Sequence, residues 1–182
     1  MVKYDSELDD LEKELGPVPE IQMLRNTARE VELFLQNRMK ISTGGSVKNF
    51  SAYDLYGKEF HLADILKKNK YVLVEFWASW CSPCRSEIPY MKESYLAYKD
   101  KGFEIISFTL DHEKDKWEKA TKEESIPWIN VGDLKAHKSP VVIMYGVSGV
   151  PTNYLVDSNG TILAIKLRRE KLEQKLKELF KE

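Results

Sequence analysis

Both cysteines of this 182-residue chain, Cys81 and Cys84, fall in one short stretch, WASWCSPCRSEIP at residues 77–89. Two thiols this close can form a redox couple, supply half of a metal site, or be two inert small residues. Zinc takes four protein ligands, or three and an open position. The remaining candidates are His61, His112 and His137, none paired with another at ligand spacing, and no second cysteine pair exists. No metal is therefore expected. Location favours a redox couple. The pair falls where the apolar run YVLVEFWA (71–78) gives way to a helical pattern, so Cys81 is expected at a helix N-terminus. Unpaired N–H groups and the helix dipole favour negative charge there. That placement lowers a thiol's pKa and raises its thiolate fraction. Cys84 lies one turn further in, close enough for a disulfide but more shielded. Cys81 is thus expected to attack and Cys84 to resolve. Pro83 suits the first helical turn, where its missing N–H would have had no partner.

The elements that must position this pair read as an α/β domain preceded by a helical arm. Tyr4, Leu8, Leu11 and Leu15 share one helix face, GPVP at 16–19 ends that helix, and a second begins at Glu20. In it Ile21, Leu24, Ala28, Val31 and Leu35 form an apolar row, expected to dock on the main domain or on a second copy as a dimer seam. STGG at 42–45 reads as a flexible break. The domains are therefore expected as an arm over 1–44 and a main domain over 45–182. NFSAYDLYGKEFHL predicts two short strands about a Tyr-Gly turn, and the run 71–78 a central strand buried on both faces. A helix is expected from the cysteines to about Asp100, a buried strand over GFEIISFTLD, and a charged helix from Asp111 to Glu124. NYLVDSNGTILAIKL predicts a hairpin, and REKLEQKLKELF a closing helix with Leu172, Leu176 and Leu179 on one face. Strands separated by helices, then a hairpin and a helix, imply a mixed sheet.

With 42% hydrophobic and 31% charged residues and a net charge of -1, the composition is that of a soluble globular chain with no call for nucleic acid. The longest apolar runs are too short to span a bilayer. The opening MVKYDSELDD has no apolar stretch after a basic one, so it is not a signal peptide, and a processed or recombinant form is expected.

The stretch VLVEFWASWCSPCRSEIP resembles the active-site strand and helix of the thioredoxin superfamily. The longer pattern, about 45–182, resembles the TlpA/ResA-type proteins of bacterial cell envelopes, often grouped with AhpC/TSA. It includes DLYGKEFHLADIL, IPWINVGDL, SPVVIMYGVSGVPTNYLVDSNGTI and LRREKLEQKLKEL. The resemblance implies a thioredoxin-like fold and a thiol-disulfide oxidoreductase acting on protein disulfides, fed by an upstream electron donor. Its redox group would be the Cys81–Cys84 disulfide, with no other cofactor. It implies that Trp80, Ser82 and Pro83 belong to the redox motif and that Pro89 kinks the active-site helix. It further implies that Val150–Pro151 is the cis-proline lining the substrate groove, and that Glu75 is the buried acid. A charge inside a central strand is costly without a task, which fits a proton acceptor for Cys84; a strand-end carboxylate reaching water or a lysine is the alternative. Proline before the second cysteine fits a reductant. No lysine in FEIISFTLD matches the thioredoxin lysine near that acid. Trp117 and Trp128 are read as core or as walls of a partner groove. The periplasm or cell envelope is the implied location, a cytoplasmic reductase the alternative.

Two other functions compete. A thiol peroxidase of the AhpC/TSA type needs a proline and a threonine before its cysteine, and EFWASW supplies neither. A non-enzymatic binding module would need neither cysteine.

Overall fold

The computed structural model describes residues 5–182. An arm of two helices, α1 (Asp5–Leu15) and α2 (Pro19–Lys40), precedes the sheet. The main domain runs β1 (Ser51–Asp54), β2 (Glu59–His61), α3 (Leu62–Lys68), β3 (Tyr71–Trp77), α4 (Ser82–Tyr98), β4 (Phe103–Thr109) and α5 (Lys114–Glu123). It continues with β5 (Ile129–Gly132), α6 (Pro140–Met144), β6 (Thr152–Asp157), β7 (Ile162–Ile165) and α7 (Glu170–Phe180). The strands form one mixed sheet in the order β2-β1-β5-β4-β3-β6-β7. β3, β4 and β5 run parallel, and the remaining pairs are antiparallel.

The continuous apolar run of β3 has the cause anticipated from its composition. Val72, Leu73, Val74 and Phe76 have no exposed surface, because β4 and β6 flank the strand and helices cover both faces. The hairpin at 152–165 and the closing helix also form as their patterns predict; Leu172 and Leu176 are buried and Leu179 packs against the core. Trp117 and Trp128 are both buried in that core.

The arm meets the main domain, but not along the whole of its apolar row. Tyr4 lies outside the described residues. Of the apolar row on α2, Ile21 is buried, but Leu24, Val31 and Leu35 are each about half exposed. Asn37 supplies a polar contact with the main domain. It donates to the Ile143 carbonyl of α6 at 3.3 Å and accepts from Lys48 Nζ at 3.1 Å. Arg25 ties α2 to α1 through Asp9 at 2.6 Å and Glu12 at 3.1 Å. Helical spacing shows which residues share a face, not which face meets a neighbour.

The glycine-rich break is not a free tether either. Gly44 N donates to Ile162 O at 2.8 Å, Ile162 N to Gly45 O at 2.7 Å, and Val47 N to Gly160 O at 2.8 Å. The segment covers the open edge of β7, a place where an unpaired strand invites foreign pairing.

Behind the arm, Gly146 adopts φ +57°, and a Cβ there would lie 2.5 Å from Arg38 Cα. Gly146→Ala is expected to cost about 1–2 kcal/mol from the left-handed backbone, and more from displacement of the arm. Urea unfolding reads it; a variant as stable as the parent would mean that the arm is not seated on this loop.

Candidate active site

The end of β3 delivers the chain to the dithiol. After Trp77 the backbone turns through Ala78–Trp80, and Cys81 becomes the residue capping α4. Its Sγ accepts the Cys84 N–H at 3.2 Å, so the sulfur takes up one of the donors that a helix start leaves unpaired. Cys81 and Cys84 are joined as a disulfide, with Cα atoms 5.2 Å apart. Both are buried, Cys84 slightly the more deeply. Around them Ser82 and Pro83 are exposed, and Trp80 is 57% exposed. Pro89 interrupts α4, where it cannot donate to the Arg85 carbonyl one turn back.

The turn before Cys81 is anchored by a residue that sequence reasoning had assigned to a helix. Asp111 is buried beyond the end of β4, and α5 starts only at Lys114. Its carboxylate accepts Ser79 N at 3.0 Å, Ser79 Oγ at 2.6 Å and Thr109 Oγ1 at 2.6 Å. Asp111→Ala would strand these donors, at an expected cost of about 2–4 kcal/mol. Slower alkylation of reduced Cys81 should accompany the loss, whereas Asp111→Asn should keep most of both. An alanine variant with parental stability would show that the turn is held by other contacts.

The second wall comes from β6. Its register, Phe76 opposite Thr152, sets Pro151 beside the end of β3, at the same rim of the sheet as the cysteine turn. The Val150–Pro151 peptide bond is cis, as the family pattern implied. Both residues are half-buried.

Glu75 lies two residues before the end of β3 and is only 5% exposed. It does not reach water or a lysine. Burial pushes its carboxyl up to about 8, and the nearby Glu87 of α4 adds to the rise. The Ser107 hydroxyl, its register partner on β4, and the positive charge of Arg168 pull the other way. Trp128 Nε1 donates to Ser107 Oγ at 2.8 Å, which leaves the serine proton free to point at the carboxylate. An acid held near neutrality can both take and return a proton at physiological pH. Ser107, Glu87 and Arg168 were not anticipated. Arg168 in particular sits in LRRE, which reads as an ordinary solvated charge run.

A mixed sheet, a dithiol at a strand-to-helix junction and a cis-proline at the neighbouring antiparallel strand together define a thioredoxin-fold thiol-disulfide oxidoreductase. The chain belongs to the AhpC/TSA family, whose model matches residues 43–165. It is 32% identical over 148 residues to the thiol-disulfide oxidoreductase ResA of Bacillus cereus, covering 81% of this chain and 82% of that one. Among solved structures it resembles the thioredoxin domain of a thiol-disulfide oxidoreductase from Bacteroides vulgatus. The TM-score there is 0.71 at 37% identity, over 76% of this chain and 98% of that one. A thiol:disulfide interchange protein from a Bacteroides species gives a TM-score of 0.72 at 36% identity, over 79% and 93%.

Proposed function

We propose that the protein exchanges disulfides with protein substrates through Cys81 and Cys84, in the reducing direction. The observation that carries the assignment of roles is the placement of Cys81 Sγ at the start of α4, accepting the Cys84 N–H at 3.2 Å. In the reduced protein the same donor favours the Cys81 thiolate. That thiolate attacks one sulfur of a substrate disulfide; the substrate S–S bond breaks, and the departing thiolate takes a proton from water. Cys84 then loses its proton to Glu75 and attacks Cys81 Sγ. The mixed disulfide breaks, the second substrate sulfur leaves as a thiolate, and the Cys81–Cys84 disulfide remains. Two electrons have passed to the substrate, and an upstream dithiol donor restores the enzyme. The disulfide is itself the redox group, so the step calls for no further cofactor.

Trp80, Ser82, Pro83, Val150 and Pro151 form the rim on which a substrate segment would lie; the exposure of Trp80, Ser82 and Pro83 and the partial exposure of Val150 and Pro151 support that reading. Proline before Cys84 supports a couple between thioredoxin and disulfide isomerase, about -270 to -180 mV. The resemblance of residues 45–182 to the TlpA/ResA-type proteins of cell envelopes supports an envelope or periplasmic setting. Among the described residues no helix is long and apolar enough to cross a membrane. The exposed Leu24, Val31 and Leu35, at seam spacing on α2, support a dimer through the arm.

The deciding assay sets dithiothreitol-driven reduction of insulin beside consumption of hydrogen peroxide. Acceleration of the first without the second is expected. Peroxide turnover alone would make the protein a peroxidase, and inertness in both would make it a binding module.

A further inference from the structure

No lysine reaches the buried acid from β4, which reads FEIISFT. A cation nonetheless acts on it from beyond β6, on the other flank of β3. Arg168 lies half-buried in the turn between β7 and α7, and its charge acts on Glu75. That turn is held from two directions. Asn153, the register partner of Glu75 on β6, donates to Leu167 O at 2.7 Å and accepts from Leu167 N at 2.8 Å. From α4, Glu87 accepts the Arg169 N–H at 2.7 Å. The guanidinium is then aimed by two carbonyls: Nη1 donates to Leu167 O at 3.1 Å, and Nη2 to Pro151 O. One side chain therefore grips the carbonyl of the cis-proline and sets its charge against the buried acid.

We propose that Arg168 is a positioning residue for the resolving step, holding the Pro151 carbonyl in place while supplying the positive charge that lets Glu75 work at neutral pH. The inference rests on Glu75 being the acceptor of the Cys84 proton. The groups that face Glu75 are Ser107 from β4, Asn153 from β6, Glu87 from α4 and Arg168 from the turn. Arg168 is the one cation among them. Without it, burial and the Glu87 charge are opposed by the Ser107 hydroxyl alone, and the carboxyl stays protonated through the range in which Cys84 must give up its proton. During resolution that proton moves from Cys84 Sγ to Glu75, the Cys84–Cys81 bond forms, and the bond from Cys81 to the substrate sulfur breaks. The cation therefore acts on this step and leaves the attack by Cys81 largely alone. Arginine suits the position because its planar fork can hold two carbonyls while keeping a permanent charge.

The test is stopped-flow resolution of the mixed disulfide between the full chain and a peptide disulfide, from about pH 5.5 to 9.5, with Cys81 alkylation as control. Arg168→Met should raise the midpoint of the pH–rate profile by about one unit and slow resolution at pH 7 about tenfold. Alkylation should stay within about twofold of the parent, and Arg168→Lys should return the midpoint close to the parental one. Arg168→Gln, which can still donate to a carbonyl but carries no charge, should behave as the methionine variant and serves in its place should that one not fold. A midpoint unmoved in the uncharged variants, while Glu75→Gln abolishes the profile, overturns the role of Arg168 alone. A profile unmoved by Glu75→Gln overturns the reading of Glu75 and this inference with it.

Discussion

Cys81→Ser is expected to lower disulfide exchange by about a thousandfold or more, because a hydroxyl at this position is neither ionised nor soft enough to attack sulfur. Cys84→Ser should also end multiple turnover, but by a different route. The first attack needs only the Cys81 thiolate at the start of α4, and that site keeps its backbone donor when the Cys84 side chain changes. The variant should therefore react once, at a rate within a few-fold of the parent, and accumulate as a mixed disulfide. Mass spectrometry after mixing with a disulfide peptide shows the adduct directly. The reverse pattern, an adduct with Cys81→Ser and none with Cys84→Ser, would exchange the two roles. Because the adduct is covalent, the same Cys84→Ser protein captures natural substrates from its own organism.

Glu75→Gln should change how stability depends on pH. The carboxyl is held near 8 in the folded protein, mainly by burial, against an ordinary value of 4.5. Its folded-state affinity for a proton is raised, so folding takes up a proton between those two values. The contribution of this group is fully present below about pH 4.5 and is lost as pH rises towards 8. Across that window the parent should lose stability relative to the glutamine variant by about 1.4 kcal/mol per pH unit. Beyond pH 8 or so the gap should level off, with the variant the more stable by several kcal/mol. Urea unfolding of both oxidised proteins at a series of pH values measures this difference. Parallel curves would mean that the acid is solvated or paired more fully than its surroundings indicate. The gain should come with slower resolution of mixed disulfides, since the amide cannot take the Cys84 proton. A buried acid that costs stability and serves the reaction is a familiar trade at active sites.

What the sequence alone determined was local. The continuous apolar run of 71–78 suited a strand covered on both faces, with the cysteines at its end opening the next helix, and both formed. The Ser-Asn-Gly turn between two apolar runs specified the hairpin, and a three-four rhythm of leucines specified α7. Each of these signals is complete within a dozen or so residues, where backbone sterics and periodic burial act. The redox pair was readable for the same reason, whereas the cis-proline and the buried acid came from the family resemblance. The short elements α3, β5 and α6 were not, because four to seven residues carry too little periodicity. Everything that sets the chemistry of Glu75 was decided by tertiary structure. Ser107, Glu87 and Arg168 reach it from a neighbouring strand, a helix and a distant turn, and only strand order and register bring them together. Asp111 likewise became an anchor because β4 ends beside the cysteine turn. The docking of α2 through Asn37, with its leucines left outside, depended on which surface of α6 it met. A side chain's type is written in the chain, but its electrostatic surroundings are summed over space, and the folded sheet alone defines that space.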